Sequence, residues 1–156
     1  MPKTSDAVSL ACSQLEVQIS CTGSWYDVGG EMNMVSNTKA TREVGSLPVF
    51  NDLQHVIAGG KSPPLTVTFS GVYSEVVTEA FTLIMDLWET AGVSDCDKQL
   101  CVRWTPKGGS VGDYRFVIDA GQLVGFMYPP LDAGSANPIG FEFDVLGYIE
   151  SEVITT

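Results

Sequence analysis

The 156-residue sequence predicts a mainly β protein, with two packed antiparallel sheets arranged as a sandwich or open barrel and one flanking α-helix. The first observation is that apolar and polar residues alternate in several segments, which is the pattern of half-buried strands. The second is that one segment repeats apolar residues every three or four positions, as an amphipathic helix does. The length fits a single domain covering residues 1–156.

The predicted strands place β-branched or aromatic residues on one face and polar residues on the other. They begin at Leu15, Leu65, Leu100, Tyr114, Leu123 and Ile139. The first continues to Cys21 and the second to Tyr73, and Ala120-Gly121 predicts a tight turn or a bulge before the fifth. Strands that alternate in this way bury one face each, as two packed sheets require.

The predicted helix runs from Val76 to Ala91. Ser74 can cap its start, and Gly92 can end it in a left-handed conformation. Its apolar face consists of Val77, Ala80, Phe81, Ile84, Leu87 and Trp88. A stripe of this composition predicts packing against a sheet, with Ile84 buried.

A long loop is predicted at about residues 27–61, because glycine, proline, serine and asparagine recur throughout it. A loop of this length within one compact domain is usually functional or becomes ordered on binding. We therefore expect the part from Asp27 to Pro48 to be mobile in a free subunit and ordered in an assembly. The last residues, Ser151 to Thr156, are predicted to form a short polar tail.

The charge composition argues against two classes of partner. The chain has 19 acidic and 8 basic residues, a net charge of −11, and the basic residues are scattered. Tight binding to nucleic acid or to an anionic membrane requires clustered lysine and arginine, so both are disfavoured. Because the chain lacks a spanning apolar run and the apolar N-terminal segment of a signal peptide, we expect it to be made in a cytoplasm.

The cysteines leave three alternatives open. They are Cys12, Cys21, Cys96 and Cys101. Reduced thiols that pack as small apolar side chains are the favoured interpretation. A disulfide between Cys96 and Cys101 comes next if the protein functions outside a cell. The third is a zinc site with four thiolates, although no pair of cysteines has the spacing of a zinc knuckle.

Recognisable catalytic motifs are absent from the sequence. The single histidine, His55, lies among apolar residues, which favours a hydrogen-bonded structural role. There is no G-x-S-x-G elbow, and Gly60-Lys61-Ser62 lacks the first glycine of a P-loop. We therefore predict no enzymatic activity and no cofactor.

Glu142 and Asp144 form the most suggestive acidic pair, because residues two apart on a strand point to the same face. Such a pair can bind calcium or act on a glycosidic bond, although a solvated strand face has the same spacing. The pair keeps an alternative function open, a soluble β-sandwich module that binds carbohydrate or calcium.

Short sequence motifs along the chain occur in a characteristic order. A strand ends in Gly23-Ser24-Trp25-Tyr26-Asp27, the long loop carries Thr41-Arg42-Glu43-Val44-Gly45, and a hairpin loop follows the helix at residues 103–109. This layout, from Leu15 to Ile149, resembles the major tail tube proteins of long-tailed bacteriophages.

The resemblance implies a structural virion protein. In that family, subunits with two packed antiparallel sheets and a flanking helix form hexameric rings. The rings stack into a hollow tube through which DNA passes during genome ejection, and the long early loop and the terminal arms make the ring-to-ring contacts. The implied partners are further copies of the chain and the tape measure, tail terminator and tail tip proteins. The implied location is the virion tail, after assembly in the host cytoplasm and without a membrane.

Two sets of site residues are expected for such a tube. Arg42 or Glu43 of the long loop would pair with a charge on a neighbouring subunit. Glu142 and Asp144, together with Glu16 of the first strand, would line the channel if the first and last strands pair side by side. An acidic wall would repel phosphates and let DNA pass without tight binding, and the alternative is an acidic face in bulk solvent.

Overall fold

The computed structural model describes residues 13–50, 53–90, 98–134 and 136–156. The strands are β1 (Gln14–Ile19), β2 (Tyr26–Asp27), β3 (Met32–Asn37), β4 (Val44–Leu47), β5 (Val56–Gly59), β6 (Leu65–Val72), β7 (Leu100–Thr105), β8 (Tyr114–Ile118), β9 (Gln122–Phe126), β10 (Gly140–Gly147) and β11 (Glu150–Val153). The helix α1 (Ala80–Glu89) lies between β6 and β7 in the chain.

Two antiparallel sheets make up most of the fold. Sheet A has five strands in the order β11-β8-β7-β1-β2, and sheet B has four in the order β3-β6-β10-β9. A separate hairpin pairs β4 with β5. The predicted mainly β class with one helix is confirmed, and the sheets are open and not closed into a barrel.

Sheets A and B share one core built from their inward-facing side chains. Val17 and Val102 of sheet A are fully buried, as are Phe69 and Phe143 of sheet B. Phe69 stacks on Phe143 with ring centroids 4.9 Å apart, and it meets Trp104 of sheet A edge to face at 6.1 Å. The alternation in the sequence therefore identifies the buried face of each of these strands.

Helix α1 buries its predicted apolar face. Ile84 is fully buried, as predicted, and Phe81 is nearly so. The ring of Phe81 contacts the rings of Tyr73, Phe126 and Phe141, which come from the end of sheet B. Within the described part of the chain, no helix combines the length and the apolar character needed to cross a membrane.

The predicted start of the helix at Val76 is wrong, because α1 begins at Ala80. The Ser74 hydroxyl accepts a hydrogen bond from the Val76 backbone N–H at 3.3 Å, which forms a turn and does not cap the helix. Val77, placed on the apolar face by the sequence, is 74% exposed in this turn. Two consecutive β-branched residues favour a helix weakly, which is consistent with the later start. The predicted end at residues 91–92 lies outside the described residues.

The predicted loop at residues 27–61 contains more regular structure than expected. It includes β3, which pairs with β6 at the edge of sheet B, and the hairpin of β4 and β5. The register of β3 is irregular between Met32 and Met34. An edge strand with this irregularity has no clear alternation of buried and exposed positions, which is why the sequence did not reveal it.

The predicted polar tail at Ser151–Thr156 is also wrong in part. Residues Glu150–Val153 form β11, which pairs with β8 at the edge of sheet A. Ile154 is buried, and its N–H donates to the Asp113 carbonyl at 3.0 Å. All residues of β11 are exposed, so their sequence has no apolar period.

Cys21 and Cys101 form a disulfide. This corrects the favoured interpretation of reduced thiols for these two residues, and it excludes the pairing of Cys96 with Cys101. Cys12 and Cys96 lie outside the described residues. Among the described residues, no group of three or more histidine, cysteine or acidic side chains could hold a metal ion.

His55 lies just before β5, and its side chain is exposed. The predicted structural role among apolar neighbours is therefore wrong. The neighbours themselves are exposed: Leu53 completely, and Ile57 by 71%.

Candidate assembly surfaces

Residues 38–64, between β3 and β6, form a projecting segment that we call the arm. It holds β4 and β5, and every one of its described residues is exposed. The two legs meet at the base of the hairpin, where the Glu43 N–H donates to the Lys61 carbonyl at 3.0 Å and the Gly60 N–H donates to the Glu43 carbonyl at 2.6 Å. A two-stranded hairpin of this kind is only marginally stable without packing partners.

The arm exposes large apolar side chains. Phe50 and Leu53 are fully exposed, and Leu47 and Ile57 are about two-thirds exposed or more. None of the described arm residues belongs to the core shared by sheets A and B. Burying apolar surface is worth about 25 cal/mol per Å², so the arm would gain substantially from covering these side chains.

The structure places Arg42 and Glu43 at the base of the arm, where both are exposed. No ion pair involves either of them within the described residues. Their position on a projecting, uncovered segment is compatible with the expected contact to a neighbour.

Two carboxylates on the outer face of sheet A are paired with cations. Glu16 of β1 accepts a hydrogen bond from Arg103 of β7 at 2.6 Å, and the Arg103 guanidinium lies 4.2 Å from the ring centre of Trp25. Arg115 of β8 pairs with Glu152 of β11 at 2.5 Å. Glu16 and Glu152 are therefore neutralised, whereas Asp27, opposite Glu16 on β2, and Glu150 of β11 form no ion pair among the described residues.

The outer face of sheet B is acidic and polar. Asp144 accepts a hydrogen bond from the Thr68 hydroxyl at 2.7 Å, and Glu142 accepts a long one from the Ser70 hydroxyl at 3.4 Å. The four strands of sheet B contain no lysine or arginine. The carboxylates of this sheet therefore have hydroxyl partners but no cation within it.

The expected side-by-side pairing of the first and last of the sequence-predicted strands is wrong. β1 lies between β7 and β2 in sheet A, whereas β10 lies between β6 and β9 in sheet B. Because Val17 and Phe143 both point into the shared core, Glu16 projects outward from sheet A and Glu142 and Asp144 project outward from sheet B. The structure therefore brings Glu142 and Asp144 together and separates Glu16 from them.

The sequence did not reveal an acidic cluster at the start of α1. Desolvation by burial raises the pKa of Glu31 above its usual range, the nearby Glu79 carboxylate raises it further, the Ala80 backbone N–H lowers it, and Asp27 adds a smaller upward contribution. One carboxylate oxygen of Glu31 is buried without a hydrogen-bond partner. Glu79 is far from Asp27 and Glu31 in the sequence and meets them because β6 carries the chain back to the turn before β3.

No protein-family profile and no curated protein matches the sequence. Solved structures do match. One is a chain of the PVC sheath–tube complex, an extracellular contractile injection system in the extended state, at 10% identity and a TM-score of 0.71, covering 96% of this chain and 94% of that one. A second is a chain in the six-fold symmetrised baseplate of the anti-feeding prophage, at 11% identity and a TM-score of 0.69, covering 99% and 100%.

A third match is a chain in the tail of an empty GTA particle, solved by helical refinement with C6 symmetry. It is 8% identical with a TM-score of 0.52, and the match covers 96% of this chain and 100% of that one. At these identities the likeness establishes the fold, which is tail-tube-like. The matched chains come from an extracellular contractile injection system, the anti-feeding prophage and a GTA particle, so the likeness does not identify long-tailed phages in particular.

Proposed function

We propose that this chain is a structural subunit without enzymatic activity, which self-assembles into stacked hexameric rings. The rings form the hollow tube of a phage tail or of a related injection particle. The observation that carries the proposal is the exposed apolar arm, which is attached to a fold shared with such particles. An uncovered hairpin of this kind is a liability for a free monomer, and a neighbouring subunit would bury it.

The hexameric ring is supported by the symmetry of two particles with similar chains. The baseplate was symmetrised six-fold, and the GTA tail has C6 symmetry. Sheet B ends in β3 on one side and β9 on the other, so each edge offers unpaired backbone groups to a neighbour in a ring.

The outer face of sheet B is proposed to line the channel. Glu142 and Asp144 have no cation within this sheet, so the face would repel a polyanion and would not release counterions to bind it. DNA would pass without tight binding. Glu16 has no part in this channel, since Arg103 neutralises it on the opposite sheet.

The remaining parts of the proposal concern partners and location. Arg42 and Glu43, at the base of the arm, would contact a subunit of the neighbouring ring. Tape measure, terminator and tip proteins would occupy the lumen and the ends of the tube. The protein would assemble in the host cytoplasm and function in the tail, without a membrane partner.

The test is assembly of the purified protein at high concentration, followed by electron microscopy and light scattering. The wild type is expected to form rings or tubes. A variant in which a short Gly-Ser linker replaces residues 44–59 is expected to remain monomeric. Its urea unfolding midpoint should match the wild type, because no described residue of the replaced segment is buried. A wild type that stays monomeric, or an armless variant that forms tubes as readily, would contradict the proposal.

A further inference from the structure

We propose that the arm of one copy docks on the acidic surface around α1 of a second copy. We define this helix surface as residues 73–90 with Ile19 and Tyr26 beside them. The inference rests on the proposed function, and it names the partner surface that the arm contacts.

The charge distribution of the chain favours this pairing. The arm contains three basic residues (Lys39, Arg42 and Lys61) and two acidic ones, a net charge of +1. The other residues of the chain include 5 basic and 17 acidic ones, a net charge of −12. A positive, apolar arm is therefore complementary to the body of another copy and not to another arm.

The helix surface is one of two strongly acidic segments of that body, and the other, residues 142–152, spans β10 and β11. Its carboxylates are Glu75, Glu79, Asp86 and Glu89, and residues 73–90 include no lysine or arginine. None of the four carboxylates forms an ion pair among the described residues. Two of them accept hydrogen bonds from tyrosine hydroxyls, Glu75 from Tyr73 and Glu89 from Tyr128.

The same surface also exposes apolar groups. Val76 is 51% exposed and Val77 is 74% exposed, in the turn that precedes α1. Beside the helix lies a groove of about 310 Å³, whose lining includes the apolar side chains of Ile19, Tyr26 and Leu83. Asp86 and Lys98 also line it, and the Lys98 ammonium donates to the Thr90 carbonyl. The surface therefore offers both apolar contact for the arm and carboxylates for its cations.

The two outer sheet faces fit the arm less well. Two of the four carboxylates in the strands of sheet A, Glu16 and Glu152, are paired with Arg103 and Arg115. Sheet B carries two carboxylates on its outer face, each bonded to a hydroxyl of β6, and it is the face assigned to the channel. The arm and the helix surface are different patches of one chain, so their contact is heterologous and propagates into rings or stacks.

Charge reversal with rescue tests the docking. Arg42→Glu with Lys61→Glu on the arm, or Glu79→Lys with Asp86→Lys on the helix surface, is expected to raise the critical concentration for assembly about ten-fold. The four changes combined should restore assembly toward the wild type. Asp119→Lys with Glu150→Lys changes the net charge by the same amount as the helix reversal, at exposed positions elsewhere, and should leave assembly unchanged.

A cross-linking experiment keeps the helix surface in its native sequence. A photoreactive benzophenone amino acid replaces Phe50 at the tip of the arm, and the products of the assembled protein are mapped by mass spectrometry. Cross-links to residues 73–90 of another copy are expected. Cross-links to any other segment would overturn the docking. The same holds if the helix reversal leaves the critical concentration for assembly unchanged, as the Asp119 and Glu150 control does. Neither result would contradict the tube proposal. If removing the arm has no effect on assembly, the proposed function fails as well.

Discussion

Cys21 and Cys101, which are 80 residues apart in the sequence, form a disulfide that ties the turn after β1 to the neighbouring strand β7. The turn places two consecutive residues, Ser20 and Cys21, in the left-handed region at φ of 55° and 52°. Non-glycine residues adopt this conformation only where the surrounding structure holds them, and the disulfide is such a restraint.

We expect loss of this disulfide to destabilise the subunit by about 2–4 kcal/mol, because the crosslink restricts a long loop of the unfolded chain. Cys21→Ser with Cys101→Ser should lower the urea unfolding midpoint by the same amount as a reducing agent does on the wild type. The reducing agent should then have no effect on the double variant. Equal midpoints for wild type and variant under oxidising conditions would contradict the expected contribution.

Ile84→Ala tests the core contact of the helix. Ile84 is fully buried between α1 and the sheets, so its truncation should cost about 2–5 kcal/mol. Val77→Ala is the matched control, since Val77 lies just before the helix and is largely exposed, and it should change stability by about 0.5 kcal/mol or less. Chemical denaturation of both variants measures the difference, and equal losses would show that the assigned face of the helix is incorrect.

The strands that the sequence predicted are those with one buried face. Val17 on β1 and Phe143 on β10 are fully buried, and the polar residues that alternate with them along each strand point outward. The pattern of burial therefore follows the two-residue alternation in the sequence. β11 and the hairpin of β4 and β5 are exposed throughout, so burial imposes no period on their sequences. Such strands are held by backbone hydrogen bonds, which place few constraints on the side chains, so the sequence does not reveal them.

The order of strands within each sheet could not be predicted either. Alternation shows which face of a strand is buried but not which strand lies beside it. Glu16 was therefore grouped with Glu142 although their strands belong to different sheets. The sequence predicted a loop at residues 27–61 from local features, its glycines and prolines, and did not predict the hairpin within it. The partner of Cys21 depends on a contact over 80 residues, which no local feature reveals.

Glu31→Gln tests the acidic cluster at the start of α1. The pKa of Glu31 is raised chiefly by burial and secondly by Glu79. Because its folded pKa lies above the unfolded value, the favourable contribution of Glu31 is complete below the unfolded pKa and is lost as the pH rises through the folded pKa. The Gln variant, which stays neutral, should therefore be more stable than the wild type at pH 7.

This advantage of the Gln variant should disappear as the pH falls below the ordinary glutamate value of 4.5. Urea midpoints measured between pH 7 and pH 4 give the comparison. Glu150→Gln, at an exposed position of edge strand β11, is the control and should show no such trend. A Glu31→Gln variant that loses stability at pH 7 would show that the hydrogen bond from the Ala80 N–H outweighs the burial of the charge.

The last prediction concerns the acidic face of sheet B. Changing Glu142 and Asp144 together to Lys replaces the two carboxylates of this sheet with cations, on a face whose side chains are not part of the core. Glu142 is exposed, so its change should alter stability by about 0.5 kcal/mol or less. Asp144 loses the hydrogen bond from Thr68, which should cost about 0.5–1.5 kcal/mol, so folding and assembly should persist. Lysines in a channel would bind phosphates with release of counterions, so assembled tubes should retain short double-stranded DNA at about 50 mM salt and lose it by about 200 mM.

DNA held inside the tube would be protected from nuclease, whereas DNA on the outer wall would be digested. The matched variant Asp119→Lys with Glu150→Lys carries the same net charge and should give no protected DNA if those exposed residues lie outside the channel. Retained DNA that nuclease removes completely would place Glu142 and Asp144 on the outside of the tube, which would refute the channel assignment even where tube formation itself is observed.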